Sequence, residues 1–180
     1  MARIDRGGVV LAMLAGAALV TGVAAGCAAR GSPAAAGPHS ASGPAVTAGP
    51  SPDRRGAAAR YLAIAVAGNR RLEIDFDRLD GPDRSRLSAA DADLRDVAAT
   101  EHLFDRRLLA IAFPPATEQV VRVLFTVNES RARLTLLAAR SQSLAQLRSY
   151  HRRLAAANDP VEAAVRVIRR QLGLPPPETS

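Results

Sequence analysis

The sequence predicts an all-α protein in which an N-terminal signal or anchor helix and a disordered linker precede an up-down-up-down four-helix bundle. Alanine, leucine and arginine dominate the composition and aromatic residues make up only 3% of the chain, which favours helices with closely packed small side chains. Apolar residues recur at alternating steps of three and four between residues 53 and 174, which is the period of one helix face. Proline and glycine interrupt this pattern at 81–82, 114–115 and 173–175, and so divide it into separate helices.

Residues 1–26 have the parts of a bacterial signal peptide: a basic start, an apolar run over residues 9–26, and small residues before a cut site. Cys27 is the only cysteine of the chain, and residues 24–27 resemble the lipobox of bacterial lipoproteins, except that Ala24 stands where leucine is usual. We expect Cys27 to be acylated, with palmitate-type chains, and to hold the protein on the extracytoplasmic face of the cell membrane. The alternatives are cleavage with release and an uncleaved anchor, for which residues 9–26 are only marginally long.

Residues 27–52 read as a disordered tether, because they consist almost entirely of Ala, Gly, Ser and Pro. A chain of this length and composition has an r.m.s. span of roughly 25 to 30 Å. The remaining residues 53–174, about 120 in number, are enough for one domain with one core. Residues 175–180 are expected to form a disordered tail.

The first two helices are bounded by caps and prolines. Helix one is predicted to begin near Asp53 and to end before Gly81 and Pro82. Helix two is predicted to begin at Ser88, with Asp91 completing a capping box, and to end before Pro114 and Pro115. Their apolar stripes are Leu62, Ala65, Asn69, Leu72, Phe76 and Leu79, then Leu94, Val97, Glu101, Phe104, Leu108 and Ile111.

Helix three is predicted to begin with Pro115 in its first turn, where the missing N–H costs nothing. Ser143 and Gln146 predict a capping box for helix four, and Gly173 suits its left-handed C-terminal position. Within helix four, Pro160 marks either a kink in one helix or a new helix start; the uninterrupted phase favours the kink. The stripes are Val120, Leu124, Val127, Arg131, Leu134 and Ala138, then Leu144, Leu147, His151, Leu154, Asn158, Val161, Val165, Ile168 and Leu172.

A resemblance can be named at this point. The segments Tyr61-Leu62-Ala63-Ile64, with Asn69 after it, and Leu172-Gly173-Leu174-Pro175-Pro176 resemble small helical-bundle lipoproteins of actinobacteria whose function is unassigned. The resemblance covers the folded part of the chain. It implies the helical fold and implies no activity.

One polar residue interrupts the apolar stripe of each helix: Asn69, Glu101, Arg131 and Asn158. At about 1.5 Å of rise per residue, they lie roughly 22, 18, 22 and 21 Å from the same end of the predicted bundle. We expect a buried polar layer in which Glu101 pairs with Arg131 and the two amides satisfy the remaining groups. The alternatives are four side chains rotated to the surface, or the floor of a ligand site.

Charge is distributed unevenly along the folded region. Between Glu73 and Asp105 ten acids face four arginines, whereas from Arg106 onward twelve arginines face five acids. A dipole is therefore expected, acidic on the first two helices and basic on the last two. The chain carries a formal net charge of +7, but export argues against nucleic acid as a partner. An envelope protein, anionic lipid headgroups or acidic wall polymers are the expected partners.

The residues predict no catalytic set, no cofactor and no metal site. His102 and His151 are far apart in sequence, no Glu-x-x-His repeat of a di-metal bundle occurs, and we expect His151, on an apolar stripe, to be packed and hydrogen-bonded. The sequence therefore predicts a membrane-tethered, non-enzymatic interaction module of the bacterial cell envelope. The alternative is a small-ligand-binding helical lipoprotein, which requires a cavity of several hundred cubic ångströms between the helices.

Overall fold

The computed structural model describes residues 52–177, and all regular secondary structure in this range is helical, which confirms the predicted all-α class. The helices are α1 (Pro52–Asp80), α2 (Leu87–Leu109), α3 (Pro115–Ala138), α4 (Leu144–Ser149) and α5 (His151–Leu172). None of these helices is long and apolar enough to span a lipid bilayer. The predicted signal peptide, residues 27–51 of the predicted tether with Cys27, and the last three residues of the predicted tail lie outside the described residues. Pro52, the last residue of the predicted tether, is instead the first residue of α1.

Helix α1 buries a face that is displaced from the predicted stripe. Ala65 and Leu72 are buried as predicted, but Leu62, Phe76 and Leu79 are only half-buried. The small residues of α1 allow its neighbours to approach on an adjoining side. The buried residues on that side are Ala57, Ala58, Tyr61, Gly68 and Asp75.

Helix α1 ends at the predicted place. The amide of Gly81 donates to the carbonyl of Asp77 at 3.0 Å, and a Cβ at Gly81 would lie 2.7 Å from that same oxygen. The close approach of the two backbone segments therefore requires glycine.

Helix α2 begins one residue earlier than predicted, and the expected capping box is wrong. Arg86 is the N-cap and no side chain caps the helix, whereas Ser88 lies inside the first turn. The helix also ends before the prolines, because the amides of Ala110 and Ile111 bond to carbonyls three residues back at 3.2 Å and tighten the last turn. The apolar stripe is correct: Leu94, Val97, Phe104 and Leu108 are buried.

Helix α3 begins at Pro115 as predicted. The amides of Thr117 and Glu118 donate to the carbonyl of Pro114 at 2.8 and 3.0 Å, so the first turn forms although the proline has no N–H. Leu124, Arg131 and Ala138 of the predicted stripe are buried.

The fourth predicted helix is two helices, α4 and α5, which meet at Tyr150. Ser143 caps α4, since its Oγ accepts from the amide of Gln146 at 3.1 Å, but Gln146 Oε1 accepts from the amide of Gln142 and not from that of Ser143. His151 is exposed, so the expectation of a packed histidine is wrong. The reason is that α4 and the start of α5 have few neighbours; α4 contacts α5 and has no fully buried residue.

Helix α5 continues through Pro160, as the uninterrupted phase predicts. It ends in a Schellman arrangement around Gly173, which has φ 73° and ψ 25°. The amide of Leu174 donates to Arg169 at 2.8 Å and that of Gly173 to Arg170 at 3.1 Å, which satisfies two of the last carbonyls. Leu174 then packs on the main core.

Sequential helices pack on each other. Contacts are extensive between α1 and α2, between α2 and α3, and between α3 and α5, and they are sparser between α1 and α5. A smaller cluster lies around Leu94, Ala138 and Ala139. The main core draws on α1, α2, α3 and α5, and its buried members include Tyr61, Val97, Leu108, Leu124, Val165 and Ile168.

Candidate functional site

Arg131 of α3 connects three helices through its guanidinium group. Its Nη1 donates to Oδ1 of Asn158 in α5 at 2.9 Å, and its Nη2 donates to Oε1 of Glu101 in α2. Glu101 is 2% exposed and Arg131 is 7% exposed. The structure therefore brings three of the four residues of the predicted polar layer into one hydrogen-bonded group.

Asn69 of α1, the fourth residue, is half-buried. Its Oδ1 is buried and accepts no hydrogen bond from the described residues. The group around Arg131 thus links α2, α3 and α5, while Asn69 of α1 is not hydrogen-bonded to it.

Burial governs the electrostatics of Glu101. The loss of hydration raises the pKa of its carboxyl group, while the charge and hydrogen bond of Arg131 act in the opposite direction. Next to it, His102 Nδ1 lies 2.7 Å from Glu129 Oε1 and so forms a second polar link between α2 and α3. This pair is closer to the surface, with both side chains partly exposed.

Asp105 and Asn128 extend this polar region and were not foreseen. Both are 1% exposed, and no hydrogen bond of good geometry reaches the Asp105 carboxyl oxygens or the Asn128 amide within the described residues. Burial raises the pKa of Asp105 to about 7, which the nearby Asn128 amide offsets only in part. The sequence spacing could have identified Asp105, because it lies one turn after Glu101 on the same side of α2.

Arg78 binds a second group of acids between α1 and α2. Its Nη2 lies 2.6 Å from Asp75 Oδ1, its Nε 2.9 Å from Asp93 Oδ1 and its Nη2 3.3 Å from Asp96 Oδ2. Burial raises the pKa of Asp75 and of Asp93, and the arginines beside them lower it. Asp75 and Asp93 were expected on the acidic surface of the first two helices. They are instead buried and paired with arginine.

Arg169 of α5 and Tyr61 of α1 are two further buried residues with polar groups, and they are not hydrogen-bonded to each other. Arg169 is 1% exposed, and its Nε donates to the carbonyl of Pro175 at 2.6 Å. Tyr61 is fully buried, and burial raises its pKa to about 12, while the charge of Arg169 lowers it. Long apolar stems allow arginine to pack in this way, which an apolar-stripe argument does not detect.

A groove of about 250 Å³ lies between α1 and α2. Its buried members are Gly68, Thr100 and Phe104, whereas Leu103 is 39% exposed. Apolar and small residues predominate, with one arginine from each helix. The lining residues are Ile64, Ala67, Gly68, Arg71, Asp96, Ala99, Thr100, Leu103, Phe104 and Arg107.

The two arginines of the groove differ in their partners. Arg71 Nε lies 3.6 Å from Asp75 Oδ2, and its Nη2 lies 3.9 Å from Asp96 Oδ2. Arg107 is exposed and belongs to none of the ion pairs formed within residues 52–177. The Arg107 guanidinium is therefore available to an acidic group from outside.

In the part of the chain that the structure describes, no group of three or more His, Cys, Asp or Glu residues could hold a metal ion. Cys27, the predicted site of lipid attachment, lies outside that part. No protein-family model, curated protein or solved structure matches the chain.

Proposed function

We propose that the protein is a non-enzymatic interaction module of the bacterial cell envelope, tethered to the extracytoplasmic face of the membrane through an acylated Cys27. The signal-like residues 1–26 and the cysteine that follows them support the location. The polar groups around Arg131 join helices to each other, and burial leaves them out of reach of a substrate. They support a role in setting helix register, as a single buried polar residue does in coiled coils.

The proposed architecture is an up-down-up-down four-helix bundle in which α4 and α5 together form the fourth element. Cross-helix contacts support antiparallel neighbours. The last turn of α1 reaches the first turns of α2 through Arg78 and Asp93, and the first turn of α1 reaches the last turn of α5 through Arg54 and Arg170. Short connections between such helices favour the same arrangement.

The observation that carries the interaction role is the α1–α2 groove. From Ile64 to Arg71 it follows about 10 Å of α1, at 1.5 Å per residue, which matches two turns of a partner helix. Small residues at Ala67, Gly68 and Ala99 let a partner approach closely, and Leu103 offers exposed apolar surface. An amphipathic helix that carries an acidic residue opposite Arg107 fits this surface.

The volume of the groove favours a macromolecular partner over a small ligand. Sites for small molecules typically enclose about 300 to 1,000 Å³ and bury most of the ligand, whereas this groove has about 250 Å³ and is open to solvent. The small-ligand-binding alternative would use the same groove, with an anionic group at Arg107 and an apolar portion on Leu103 and Phe104.

Site-specific photo-cross-linking in intact cells tests the proposal. A photoreactive amino acid at Leu103 should give a discrete, larger cross-linked species in the membrane fraction, and Ala99→Arg, which fills the groove, should abolish it. The same amino acid at Val123, which is 52% exposed on α3, is the matched control and should give none. Equal products at both positions would contradict the docking role, and a mass increase of a few hundred daltons at Leu103 would favour the ligand-binding alternative.

A further inference from the structure

The connection between α2 and α3 is an uncharged apolar segment. Residues 109–116, called the apolar tip below, read Leu-Ala-Ile-Ala-Phe-Pro-Pro-Ala. Leu109 is 51% exposed, and Ala110, Ala112 and Ala116 are also exposed. Surface connections are normally polar, so an exposed apolar run of this length indicates a contact with something apolar.

The apolar tip is held in place by the core and exposes few backbone donors. Ile111 and Phe113 are partly buried against the main core, which leaves the alanines and Leu109 on the outside. The amides of Ala110 and Ile111 are already hydrogen-bonded within α2, and the two prolines of the tip have no N–H. Such a segment can leave water without losing many hydrogen bonds.

Exposed arginines stand at the helix ends next to the apolar tip. Arg106 and Arg107 lie in the last turn of α2, Arg170 lies in the last turn of α5, and Arg55 lies in the first turn of α1. None of the ion pairs formed within residues 52–177 involves these four side chains. Guanidinium groups bind phosphate through paired hydrogen bonds.

These helix ends lie together in space. Arg54 Nη2, in the first turn of α1, lies 3.4 Å from the carbonyl oxygen of Arg170, to which it donates a hydrogen bond. Helix α1 packs along α2 with its last turn at the first turns of α2, so its first turn lies toward the end of α2 that carries the tip. The uncharged segment 173–177 follows α5 at this end.

Few acids oppose the arginines at this end. Asp53 is exposed in the first turn of α1, but Glu118 lies 3.1 Å from Arg122 and Asp105 is buried. The apolar tip is therefore surrounded by net positive charge, the combination by which proteins dock on anionic lipid surfaces.

We propose that the apolar tip, with Arg55, Arg106 and Arg170 around it, docks on an anionic phospholipid bilayer. Leu109 enters the headgroup region and the arginines bind lipid phosphates. The orientation rests on the proposed anchor: α1 begins at Pro52, 25 residues after Cys27, so the chain enters the domain at the end that carries the tip. The α1–α2 groove then remains open to a partner above the membrane.

Fluorescence of a polarity-sensitive probe tests the docking in the full-length chain. With Cys27→Ser in every sample, a probe on Leu109→Cys should shift to the blue on vesicles of phosphatidylcholine containing about one third phosphatidylglycerol, and not on phosphatidylcholine alone. The matched control is Leu137→Cys, which is 46% exposed in the last turns of α3 and should stay in water on both vesicles. Each probe reports the polarity around its own position. Binding of the chain to vesicles through residues 1–51 alone would therefore not shift the fluorescence of a probe at residue 109.

Charge variants make the test quantitative. Replacing Arg55 and Arg106 by Gln should raise the lipid concentration needed for the shift about 30-fold, since each arginine near an anionic surface contributes about fivefold. The control pair Arg133→Gln and Arg140→Gln, exposed on α3 and just after it, should change it less than about threefold. Three results would overturn the docking: no shift of the probe at residue 109, an equal shift of the probe at residue 137, or an equal shift on uncharged vesicles. None of them bears on whether Cys27 is acylated.

Discussion

Asp105 and Glu101 are carboxyl groups one turn apart on α2, and both are almost fully buried. Arg131 donates directly to Glu101, whereas Asp105 has only the Asn128 amide nearby. The pKa is raised at both residues, because the loss of hydration outweighs the compensation. Each carboxyl group therefore disfavours folding when it is ionised, and Asp105 has the weaker compensation.

Replacing Asp105 by Asn should stabilise the protein at neutral and higher pH. The folded pKa of about 7 lies above the ordinary value of 3.8, so the stability contributed by protonated Asp105 is complete below pH 3.8 and is lost as pH rises through 7. At pH 8 the gain from Asp105→Asn should be about 2 to 4 kcal/mol, and near pH 4 it should be small. Urea unfolding at both pH values measures this.

The exposed acid Asp77 is the control for that prediction. Asp77→Asn, also on a helix, should change the free energy of unfolding by less than about 0.5 kcal/mol at either pH. An equal effect of Asp105→Asn at pH 4 and pH 8 would contradict the assignment of a buried, protonatable carboxyl group.

Replacing Arg131 by Met should lower the free energy of unfolding by about 3 to 5 kcal/mol, because it leaves the buried Glu101 carboxylate without its partner. The loss should shrink at low pH, where Glu101 is protonated. A second change, Glu101→Leu, should recover most of the loss, since an apolar pair of similar size tolerates burial.

An exposed ion pair serves as the comparison. Arg122→Met breaks the Arg122–Glu118 pair, whose side chains are 70% and 53% exposed, and should cost less than about 1 kcal/mol. If Arg131→Met also cost less than 1 kcal/mol, the group that joins α2, α3 and α5 would not contribute to stability.

At the scale of the helices, the accuracy of the sequence prediction depends on the size of the side chains. The stripe of α2 was predicted correctly because large residues such as Leu94, Phe104 and Leu108 mark one face. In α1, alanines occur on several sides of the helix, so the periodic pattern does not identify which side is buried. Tyr61 and Asp75 were missed for this reason.

The sequence predicted part of the candidate site, as it predicted part of the buried helix faces. A polar residue inside an apolar stripe is a visible signal, and it identified Glu101, Arg131 and Asn158, which the structure joins. Asp105 and Asn128 stand beside the stripe, where polar residues are usually solvated, so sequence alone could not place them inside. The exposure of His151 depends on the break at Tyr150, which no proline or glycine marks.

Two glycines, one near each end of the helical part of the sequence, should respond to alanine with opposite signs. Gly173 has φ 73°, so Gly173→Ala should destabilise the protein by about 1 to 2 kcal/mol through left-handed strain. Gly56 is inside α1 and a Cβ there would meet nothing within 4 Å, so Gly56→Ala should stabilise it by about 0.5 to 1 kcal/mol. Thermal unfolding of the two variants beside the wild type measures both, and shifts of the same sign would contradict the assignment.

At the scale of the whole molecule, we propose that two contacts hold one helical domain at a membrane. In this proposal acylated Cys27 supplies the anchor, and the apolar tip with its arginines orients the domain so that the α1–α2 groove stays accessible. A second membrane contact beside the acylated cysteine would make the attachment more stable. The proposed interaction role depends most on the Cys27 anchor, because both the partner and the lipid contact are proposed for a domain that is held at the membrane.

The mass of the intact protein, purified from the membranes of its host, tests that claim most directly. We expect a mature chain that begins at Cys27 and carries acyl groups there. We also expect Cys27→Ala to remove the acyl mass and to change the protein's location or leave the precursor uncut. A wild-type chain that retains Met1 and has an unmodified Cys27 would contradict the account.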